Sequence, residues 1–371
     1  MKKDLTNNLF NYATSELSQD AFICWLASHA LVDDDNKYIS DDCVLRECAL
    51  EMIVMFVSEF RSKHFRLLSV QRQVKKADVL LTAICDGKKY AIIIEDKTYT
   101  NEHDNQLLTY KTEIKKMFEE KNEDVEIRGV YYKTWYQAYL EKVYEADYIV
   151  VLREDILKLM EPYYSRTSNT IFKDYYDYWN TIHTECLEYV SLPTSKWNYK
   201  QIYAFYDYLK ESFFKNKGIG VGYGYVHNQN GGFDGLWAEI PGGDELKIYG
   251  IKSQLYLQIH ATMVEKNRCE MMVTLRLSVK GGKTSEEYRS VRNKIVYDLT
   301  NWKYRLEEYN FIKPVRFGNG VTMTIGEYKG HSHNFDSYKD FEQLVNESVC
   351  DAMRLLDDIK NNFFDFEEII S

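Results

Sequence analysis

Two carboxylates and one lysine in this chain have the types and the spacing needed to act on a phosphate group. Glu95 and Lys97 follow the apolar run 90–94, and Asp78 lies seventeen residues before Glu95. Residues two apart in a strand point to the same side, so Glu95 and Lys97 share a face. Mg²⁺ favours carboxylate oxygens, and an ammonium can orient water or stabilise developing charge. Because an isolated ExK tripeptide is more often a plain ion pair, the interpretation depends on where Asp78 lies.

A predicted β-hairpin places Asp78 beside Glu95. The apolar runs 77–85 and 89–95 flank Asp86-Gly87, which is a strong signal for a two-residue turn. Antiparallel pairing about this turn sets Asp78 opposite Glu95, at the same open end of the sheet. Facing carboxylates repel each other, and a bound Mg²⁺ or Mn²⁺ would relieve the repulsion. The sequence therefore predicts a metal centre suited to phosphodiester hydrolysis, with Lys97 within reach of water at the metal.

The surrounding elements indicate a mixed α/β domain over residues 1–190. The strand 89–95 is apolar on both faces, which is typical of a strand inside a sheet. The helix Ser15–Leu31 is predicted to group Leu17, Ala21, Trp25 and Ser28 on one face. Further helices are predicted at 42–62 and 105–120, and further strands at 126–132 and 147–152.

The pattern D-x(16)-E-D-K at the ends of two paired strands resembles the PD-(D/E)XK nuclease superfamily. Ala77 stands where the family pattern has a leading proline. Gln106 and Tyr110 form QxxxY, similar to the fourth motif of the RecB-like nucleases, and positions i and i+4 share a helix face. The resemblance covers roughly residues 10–150. It implies an α/β fold, a restriction-endonuclease-like core with a mixed central sheet flanked by helices.

The resemblance also implies roles for individual residues. Asp78 and Glu95 would bind the metal, with the backbone carbonyl of Asp96 as a third ligand and Glu16, on the opening helix, completing the shell. An acid in the first turn of a helix is also favoured by the helix dipole, so Glu16 has a plain structural alternative. Lys97 would act on the water, and Gln106 and Tyr110 would support Lys97 and the nucleic-acid backbone. Gln19 and Asp20 are weaker candidates on the same helix.

A second domain is predicted over residues 191–371, beginning near Pro193. Short strands with Gly turns indicate an α+β domain with an antiparallel sheet, followed by helices near 285–308 and 337–361. Residues 200–330 hold 19 basic and 14 acidic residues, against a net charge of −10 for the chain. A set of cations and aromatics there fits a nucleic-acid face and a plain solvated surface equally well: Tyr249, Lys252, Tyr256, Lys266, Arg268, Arg276, Lys280, Arg289, Arg292 and Lys294.

Other features narrow the class of protein. The seven cysteines are odd in number and form no CxxC, which argues against a disulfide framework or a zinc ribbon. The pair His331 and His333 lies in a loop-like segment with no completing zinc ligands. The segment GIGVGYGYVH lacks the features of a phosphate loop and is predicted to be an edge strand. No apolar leader and no 18-residue apolar run are present, so a cytoplasmic protein with no membrane span is expected.

The sequence predicts a Mg²⁺- or Mn²⁺-dependent nuclease that acts on DNA in preference to RNA. By analogy, its setting would be defence against foreign DNA, such as phage, in a bacterium. Two alternatives stay open: a non-catalytic binding module on the same fold, and an RNA-directed nuclease. A homo-oligomer and a protein partner bound through the C-terminal domain are also compatible with the sequence.

Overall fold

The computed structural model describes most of the chain. The contacts between residues divide the chain into two compact units. The first unit is Met1–Thr184 and the second is Glu185–Ser371. The described residues are 7–228, 231–244, 246–248, 251–264, 268–279, 290, 293–294, 297–298, 306–315, 322–330 and 334–363.

The first unit is built on a mixed five-stranded sheet whose strands keep their chain order. They are β1 (Phe65–Val74), β2 (Ala77–Cys85), β3 (Lys88–Lys97), β4 (Glu126–Lys133) and β5 (Tyr148–Leu152). The pairs β1–β2 and β2–β3 are antiparallel, whereas β3–β4 and β4–β5 are parallel. The predicted mixed sheet, with the strand 89–95 in its interior, is confirmed.

A two-residue turn joins β2 to β3, as predicted. Asp86 and Gly87 have φ angles of 51° and 80°. Two-residue turns with positive φ at both positions match the twist of the strands that they connect. The turn therefore fixes the register of this hairpin, in which Cys85 pairs with Lys88 and Val79 pairs with Ile94.

Six α-helices begin in the described part of the first unit. They are α1 (Glu16–Ser28), α2 (Cys43–Phe56), α3 (Gln106–Glu119), α4 (Glu141–Glu145), α5 (Arg153–Tyr164) and α6 (Thr170–Leu187). Asp42 caps α2, because its carboxylate accepts from the backbone nitrogens of Val44 and Leu45 at 3.1 and 3.0 Å. Such a cap contributes about 1 kcal/mol to the stability of a helix.

The core beneath α3 connects this helix to the middle of the sheet. Its buried face repeats every three or four residues, at Leu107, Tyr110, Ile114 and Phe118. This face packs into one cluster with fully buried residues of the sheet, including Ile93 of β3. Each fully buried side chain of this size stabilises the fold by roughly 1.5–3 kcal/mol. The packing holds the start of α3 against the end of β3.

Two details differ from the sequence-based expectations. The strand β1 was not predicted, because most of its residues are polar or exposed and its apolar residues do not alternate. The predicted apolar face of α1 is wrong: Leu17 is 55% exposed, whereas Phe22, Ile23 and Leu26 are buried. The buried face of α1 also contains Gln19 and Asp20, and this affects the candidate site.

The second unit contains an antiparallel sheet, which confirms its predicted fold class. Six strands lie in the order β11-β12-β10-β9-β7-β6, and the short β8 pairs with β9. These strands are β6 (Val221–Asn228), β7 (Gly231–Glu239), β8 (Lys247–Ile248), β9 (Ile251–Val264), β10 (Arg268–Val279), β11 (Phe311–Ile312) and β12 (Thr322–Tyr328). The glycine-rich segment forms β6 at the end of this order, as predicted.

Two α-helices, both longer than the 3-10 helices around them, belong to the same unit. They are α7 (Tyr199–Tyr208), which continues as a π-helical stretch at Leu209–Phe214, and α8 (Tyr338–Phe363). The predicted helix 285–308 falls largely outside the described residues. Across the described ranges, no helix has both the length and the apolar character needed to cross a membrane.

Candidate functional site

The hairpin of β2 and β3 brings Asp78 to the end of β3. The last regular pair is Val79 with Ile94, so Asp78 and Glu95 are the next positions on the two strands. The backbone nitrogen of Asp96 donates a hydrogen bond of 3.0 Å to Asp78 Oδ2. A second donor, Gln73 Nε2 at the end of β1, lies 3.3 Å from Asp78 Oδ1. Asp78 is therefore held by the strands on both sides of β2.

A series of polar contacts connects Lys97 to Tyr110. Lys97 Nζ lies 2.5 Å from Glu95 Oε1, as expected for residues two apart in a strand. The same Glu95 oxygen accepts from Gln106 Nε2 at 2.7 Å, and Gln106 Nε2 also contacts the Tyr110 hydroxyl at 2.7 Å. Glu95 is 1% exposed and Lys97 is 8% exposed. Four sequence-predicted residues thus form one buried network.

Burial and neighbouring charges act on this network in opposite directions. Burial, followed by the charge of Asp78, raises the pKa of Glu95 to about 8, while Lys97 works against this shift. Burial works to lower the pKa of Lys97, but the charge and hydrogen bond of Glu95 outweigh it, and the pKa rises above its ordinary value. Lys97 is therefore a charged donor at neutral pH. The neighbouring carboxylates of Asp78 and Glu95 carry an electrostatic penalty that a cation would remove.

The side chain of Asp96 lies on the other face of β3. It is fully buried and accepts a hydrogen bond from Gln19 Nε2 of α1. The hydroxyl of Tyr175 on α6 approaches Gln19 Oε1 at 3.4 Å and pairs with the Tyr132 hydroxyl at 3.0 Å. The Asp96 carboxylate therefore belongs to the α1–α6 side of the sheet. Only the backbone carbonyl of Asp96 corresponds to the predicted ligand role.

Glu16 is attached to the segment that follows β3. Its Oε1 accepts from the backbone nitrogen of Thr98 at 3.1 Å and from Thr100 Oγ1 at 2.6 Å. The charge of Glu16 also acts on Asp20, Asp96 and Lys97. The structure therefore brings Glu16 to the same end of the sheet as Asp78 and Glu95.

Lys133, which the sequence analysis did not single out, holds the segment that follows β3. It ends β4, pairs with Lys97 of β3 and is 1% exposed. Its Nζ donates to the backbone carbonyls of Thr98 at 3.0 Å and Thr100 at 2.6 Å. Burial lowers the pKa of Lys133 to about 8, against the opposing charge of Glu16. The position shows no sequence motif, because its importance comes from the parallel pairing of β3 and β4.

Asp20 is the other residue that the structure makes a stronger candidate for the functional site. It lies one helical turn after Glu16, is 1% exposed, and its Oδ1 has no hydrogen-bond partner among the described residues. Burial, followed by the charge of Asp78, raises the pKa of Asp20 to about 7. Its position one turn beyond Glu16 made Asp20 a weaker candidate in the sequence, whereas the structure buries Asp20 near the charge of Asp78.

The donor chemistry fits a divalent metal such as Mg²⁺ or Mn²⁺. Within the described ranges, three buried carboxylate oxygens have no hydrogen-bond donor: Glu95 Oε2, Asp20 Oδ1 and, on the other face of β3, Asp96 Oδ2. No three His, Cys, Asp or Glu side chains in those ranges gather closely enough to form a ready-made metal cluster. Mg²⁺ usually keeps several waters and binds through one or two carboxylates plus substrate phosphate. A preformed three-ligand cluster is therefore not required for this ion.

The other sequence candidates belong to the second half of the chain. His331 and His333 fall outside the described residues. Among the cations and aromatics of the second unit, Tyr249, Lys266, Lys280, Arg289 and Arg292 are also outside them. Two of the described ones already have polar partners, because Arg268 pairs with Glu270 and Arg276 donates to Thr324 Oγ1, both at 2.7 Å.

Comparison with known proteins identifies a family for the first part of the chain. A family model of the PD-(D/E)XK nuclease superfamily matches residues 8–211, which include each of the predicted site residues. No curated protein and no solved structure matches the chain significantly.

Proposed function

Because the chain belongs to the PD-(D/E)XK nuclease superfamily, we propose that it is a metal-dependent nuclease that hydrolyses phosphodiester bonds in DNA. The observation that carries this proposal is the buried Lys97–Glu95–Gln106–Tyr110 network beside Asp78. A fold alone does not establish an activity. Here a charged lysine and two neighbouring carboxylates lie at one end of the sheet, where a phosphate could meet all three.

The residues proposed to hold the metal directly are Asp78, Glu95 and the backbone carbonyl of Asp96. Glu16 would complete the shell through a metal-bound water, because no three of the described His, Cys, Asp and Glu side chains gather closely enough to bind one ion together. When bound, Mg²⁺ or Mn²⁺ would neutralise charge at the scissile phosphate and acidify the attacking water. The raised pKa of Glu95 supports this choice, because it comes first from burial and then from the charge of Asp78, and a cation beside the two carboxylates would offset both effects. Asp20 adds a further buried carboxylate to the same region.

The protein's own groups then divide the remaining work. Lys97 stays protonated, so it would orient the attacking water and stabilise negative charge on the phosphate oxygens. Glu95 fixes the position of the Lys97 ammonium, because the two are in contact at 2.5 Å. Gln106 holds the Glu95 oxygen from the other side and connects it to Tyr110. The two helix residues are therefore positioning residues, and Lys97 is the group assigned to the reaction.

A digestion panel tests the proposal. Purified full-length protein is incubated with linear duplex, circular duplex, single-stranded DNA and RNA, with Mg²⁺, with Mn²⁺ and with EDTA. We expect metal-dependent cleavage of DNA that Lys97→Ala and Asp78→Asn abolish, while the exposed-lysine control Lys115→Ala cuts normally. Equal cutting by wild type and both site variants would overturn the assignment. Survival of circular DNA, both duplex and single-stranded, while linear DNA is degraded would identify an exonuclease.

Calorimetric titration with Mn²⁺ separates the nuclease from a non-catalytic module on the same fold. Binding that Asp78→Asn weakens supports the metal centre. A chain that binds no Mn²⁺ and cuts no substrate would instead be a binding module, and degradation of RNA alone would make it an RNA-directed nuclease.

The second unit is proposed to select the substrate or a partner. Charge reversal at its exposed cation Lys252 would weaken DNA binding if this unit contacts the substrate, and unchanged binding would exclude such a contact at this position. The expected setting, defence against foreign DNA such as phage in the cytoplasm of a bacterium, stays a prediction from the family resemblance.

A further inference from the structure

An aromatic shelf lies immediately beyond the catalytic strand, and it consists of Tyr99, Trp135 and Tyr136. Tyr99 follows Lys97 by two residues and is 53% exposed, whereas Trp135 is 7% exposed. Their ring centroids are 5.4 Å apart, and the ring centroids of Trp135 and Tyr136 are 5.5 Å apart. The exposed Tyr99 ring therefore rests against a buried ring, which limits its rotation.

The backbone and the underside of the shelf are both supported. Lys133 Nζ donates to the carbonyls of Thr98 and Thr100, the two neighbours of Tyr99 in the chain. The guanidinium of Arg153, itself 3% exposed, lies 5.9 Å from the Trp135 ring and 5.1 Å from the Tyr136 ring. An aromatic surface that is ordered before binding loses little conformational entropy when a ligand stacks on it.

A cationic turn lies on the other side of the carboxylates. Lys75 and Lys76 form the two-residue connection between β1 and β2, directly before Ala77 and Asp78, and both are exposed. Their φ angles are 51° and 71°, a left-handed conformation that favours glycine or asparagine. The nearby Arg72 is also exposed, and its charge acts on Asp20. The turn therefore presents two exposed cations although its backbone geometry favours other residue types.

The topology places these groups in one row. The β1–β2 turn, the start of β2 and the C-terminal ends of β3 and β4 all lie at the same end of the sheet. This follows because β2 is antiparallel to β1 and β3, whereas β4 is parallel to β3. Neighbouring strands are about 4.8 Å apart, so β2 and β4 are separated by roughly 10 Å. A nucleic-acid strand lying across this end of the sheet would meet the cations of the turn first, then the carboxylates and Lys97, and then the shelf.

We propose that the shelf stacks an unpaired base next to the scissile phosphate, so that the centre acts on single-stranded or frayed DNA rather than on intact duplex. The inference rests on the proposed nuclease function and names its substrate class. In a duplex each base face is covered by its neighbours, whereas a single strand exposes its faces to aromatic side chains. The lysines of the β1–β2 turn would hold phosphates on the other side of the cleavage position without reading sequence.

Binding measurements test the shelf separately from cleavage. A fluorescent single-stranded DNA oligonucleotide is titrated in EDTA with the wild type, Tyr99→Ala, Tyr99→Phe, and the control Tyr144→Ala, which removes a tyrosine exposed to 60% on α4. We expect Tyr99→Ala to weaken binding roughly 10-fold or more, with Tyr99→Phe and Tyr144→Ala close to the wild type. An oligonucleotide of abasic sites should bind the wild type weakly, and Tyr99→Ala should weaken that binding no further.

The cationic turn has its own variant. Lys75→Asn combined with Lys76→Gly supplies residues that favour this turn, so thermal stability should be kept or increased. Binding of single-stranded DNA should nevertheless weaken, and the slope of log affinity against log salt should shrink by about 1.4 if both lysines contact phosphates. An unchanged slope would remove the turn from the proposed row.

The outcomes distinguish the inference from the function on which it rests. Metal-dependent cleavage together with Tyr99-independent binding would overturn the shelf and leave the nuclease proposal standing. Tyr99-dependent binding without cleavage of any substrate would support the shelf and contradict the nuclease. Cutting of covalently closed duplex as fast as single-stranded DNA would overturn the proposed substrate class.

Discussion

Gln106 Nε2 lies 2.7 Å from Glu95 Oε1, the same oxygen that lies 2.5 Å from Lys97 Nζ. The first residue of α3 therefore shares one acceptor with the lysine assigned to the reaction. A carboxylate oxygen held by two donors keeps a fixed orientation, and this limits where the Lys97 ammonium can lie. The QxxxY pair thus acts on the centre through Glu95 rather than by contacting Lys97.

Replacing Gln106 by Leu should lower nuclease activity about 10- to 100-fold while leaving thermal stability nearly unchanged. The expected loss has the size typical of residues that orient metal-site ligands. Activity is measured on the best substrate of the digestion panel, and Thr109→Ala, at an exposed position one turn away on α3, serves as the control. A Gln106→Leu variant as active as Thr109→Ala would show that Glu95 needs no second donor.

Replacing Lys133 by Met should destabilise the fold by roughly 1–3 kcal/mol, because the carbonyls of Thr98 and Thr100 lose their buried donor. Hydrogen exchange should also increase at residues 98–101, the segment that holds Glu16. Urea denaturation gives the free energy of unfolding, with the exposed Lys115→Met on α3 as the control. If Lys133→Met matches the control in both measurements, the lysine does not hold this segment.

Shortening Ile93 to Ala should destabilise the first unit by about 2–5 kcal/mol, since the residue is fully buried in the cluster beneath α3. The matched variant Ile149→Ala on β5 removes a side chain that is 42% exposed, and it should cost distinctly less. Urea unfolding followed by tryptophan fluorescence compares the two. Equal effects would mean that α3 is not anchored through Ile93.

His260 should make the second unit less stable in mild acid. Burial, followed by the charge of Arg276, lowers the pKa of His260 to about 4, whereas an unfolded histidine has a pKa of about 6.5. The unfolded state therefore gains a proton first as pH falls, and the stability from neutral His260 is lost between about pH 6.5 and pH 4. Between pH 7 and pH 5 the loss is about 2 kcal/mol.

The measurement for His260 is a double comparison. Free energies of unfolding are determined at pH 7 and pH 5 for wild type, His260→Gln, and His64→Gln, which replaces an exposed histidine. The pH-dependent loss should be smaller in His260→Gln than in the other two proteins. An identical loss in all three would show that His260 titrates normally in the folded chain.

The sequence predicted the parts of the site that depend on local chemistry. The Asp86-Gly87 turn determines the pairing of β2 with β3, so the positions of Asp78 and Glu95 could be calculated from the chain alone. The i, i+4 spacing of Gln106 and Tyr110 likewise predicted a shared helix face. In both cases the residues are close in sequence and the geometry of one element determines their separation.

The remaining parts depend on contacts between distant segments. Lys133 matters because β4 runs parallel to β3, and the shelf exists because Trp135 follows β4 as Tyr99 follows β3. Asp20 was a weaker candidate in the sequence because it lies one turn beyond Glu16, whereas the structure buries it on α1 together with Gln19. Polar residues buried by tertiary contacts leave no periodic signal in the sequence.

The region of the turn between β2 and β3 is also suitable for attaching a label to the protein. It lies at the opposite end of β2 from Asp78, roughly 27 Å away at about 3.4 Å per residue, and Asp86, Gly87 and Lys88 are all exposed. A fluorophore or a surface-attachment tag placed on the exposed Lys88, which leaves both turn residues in place, would report on single molecules during substrate capture without touching the carboxylates. The β2–β3 hairpin thus has two uses. One end aligns the reacting groups, and the other end is a remote point at which the protein can be immobilised with Asp78 and Glu95 facing solution.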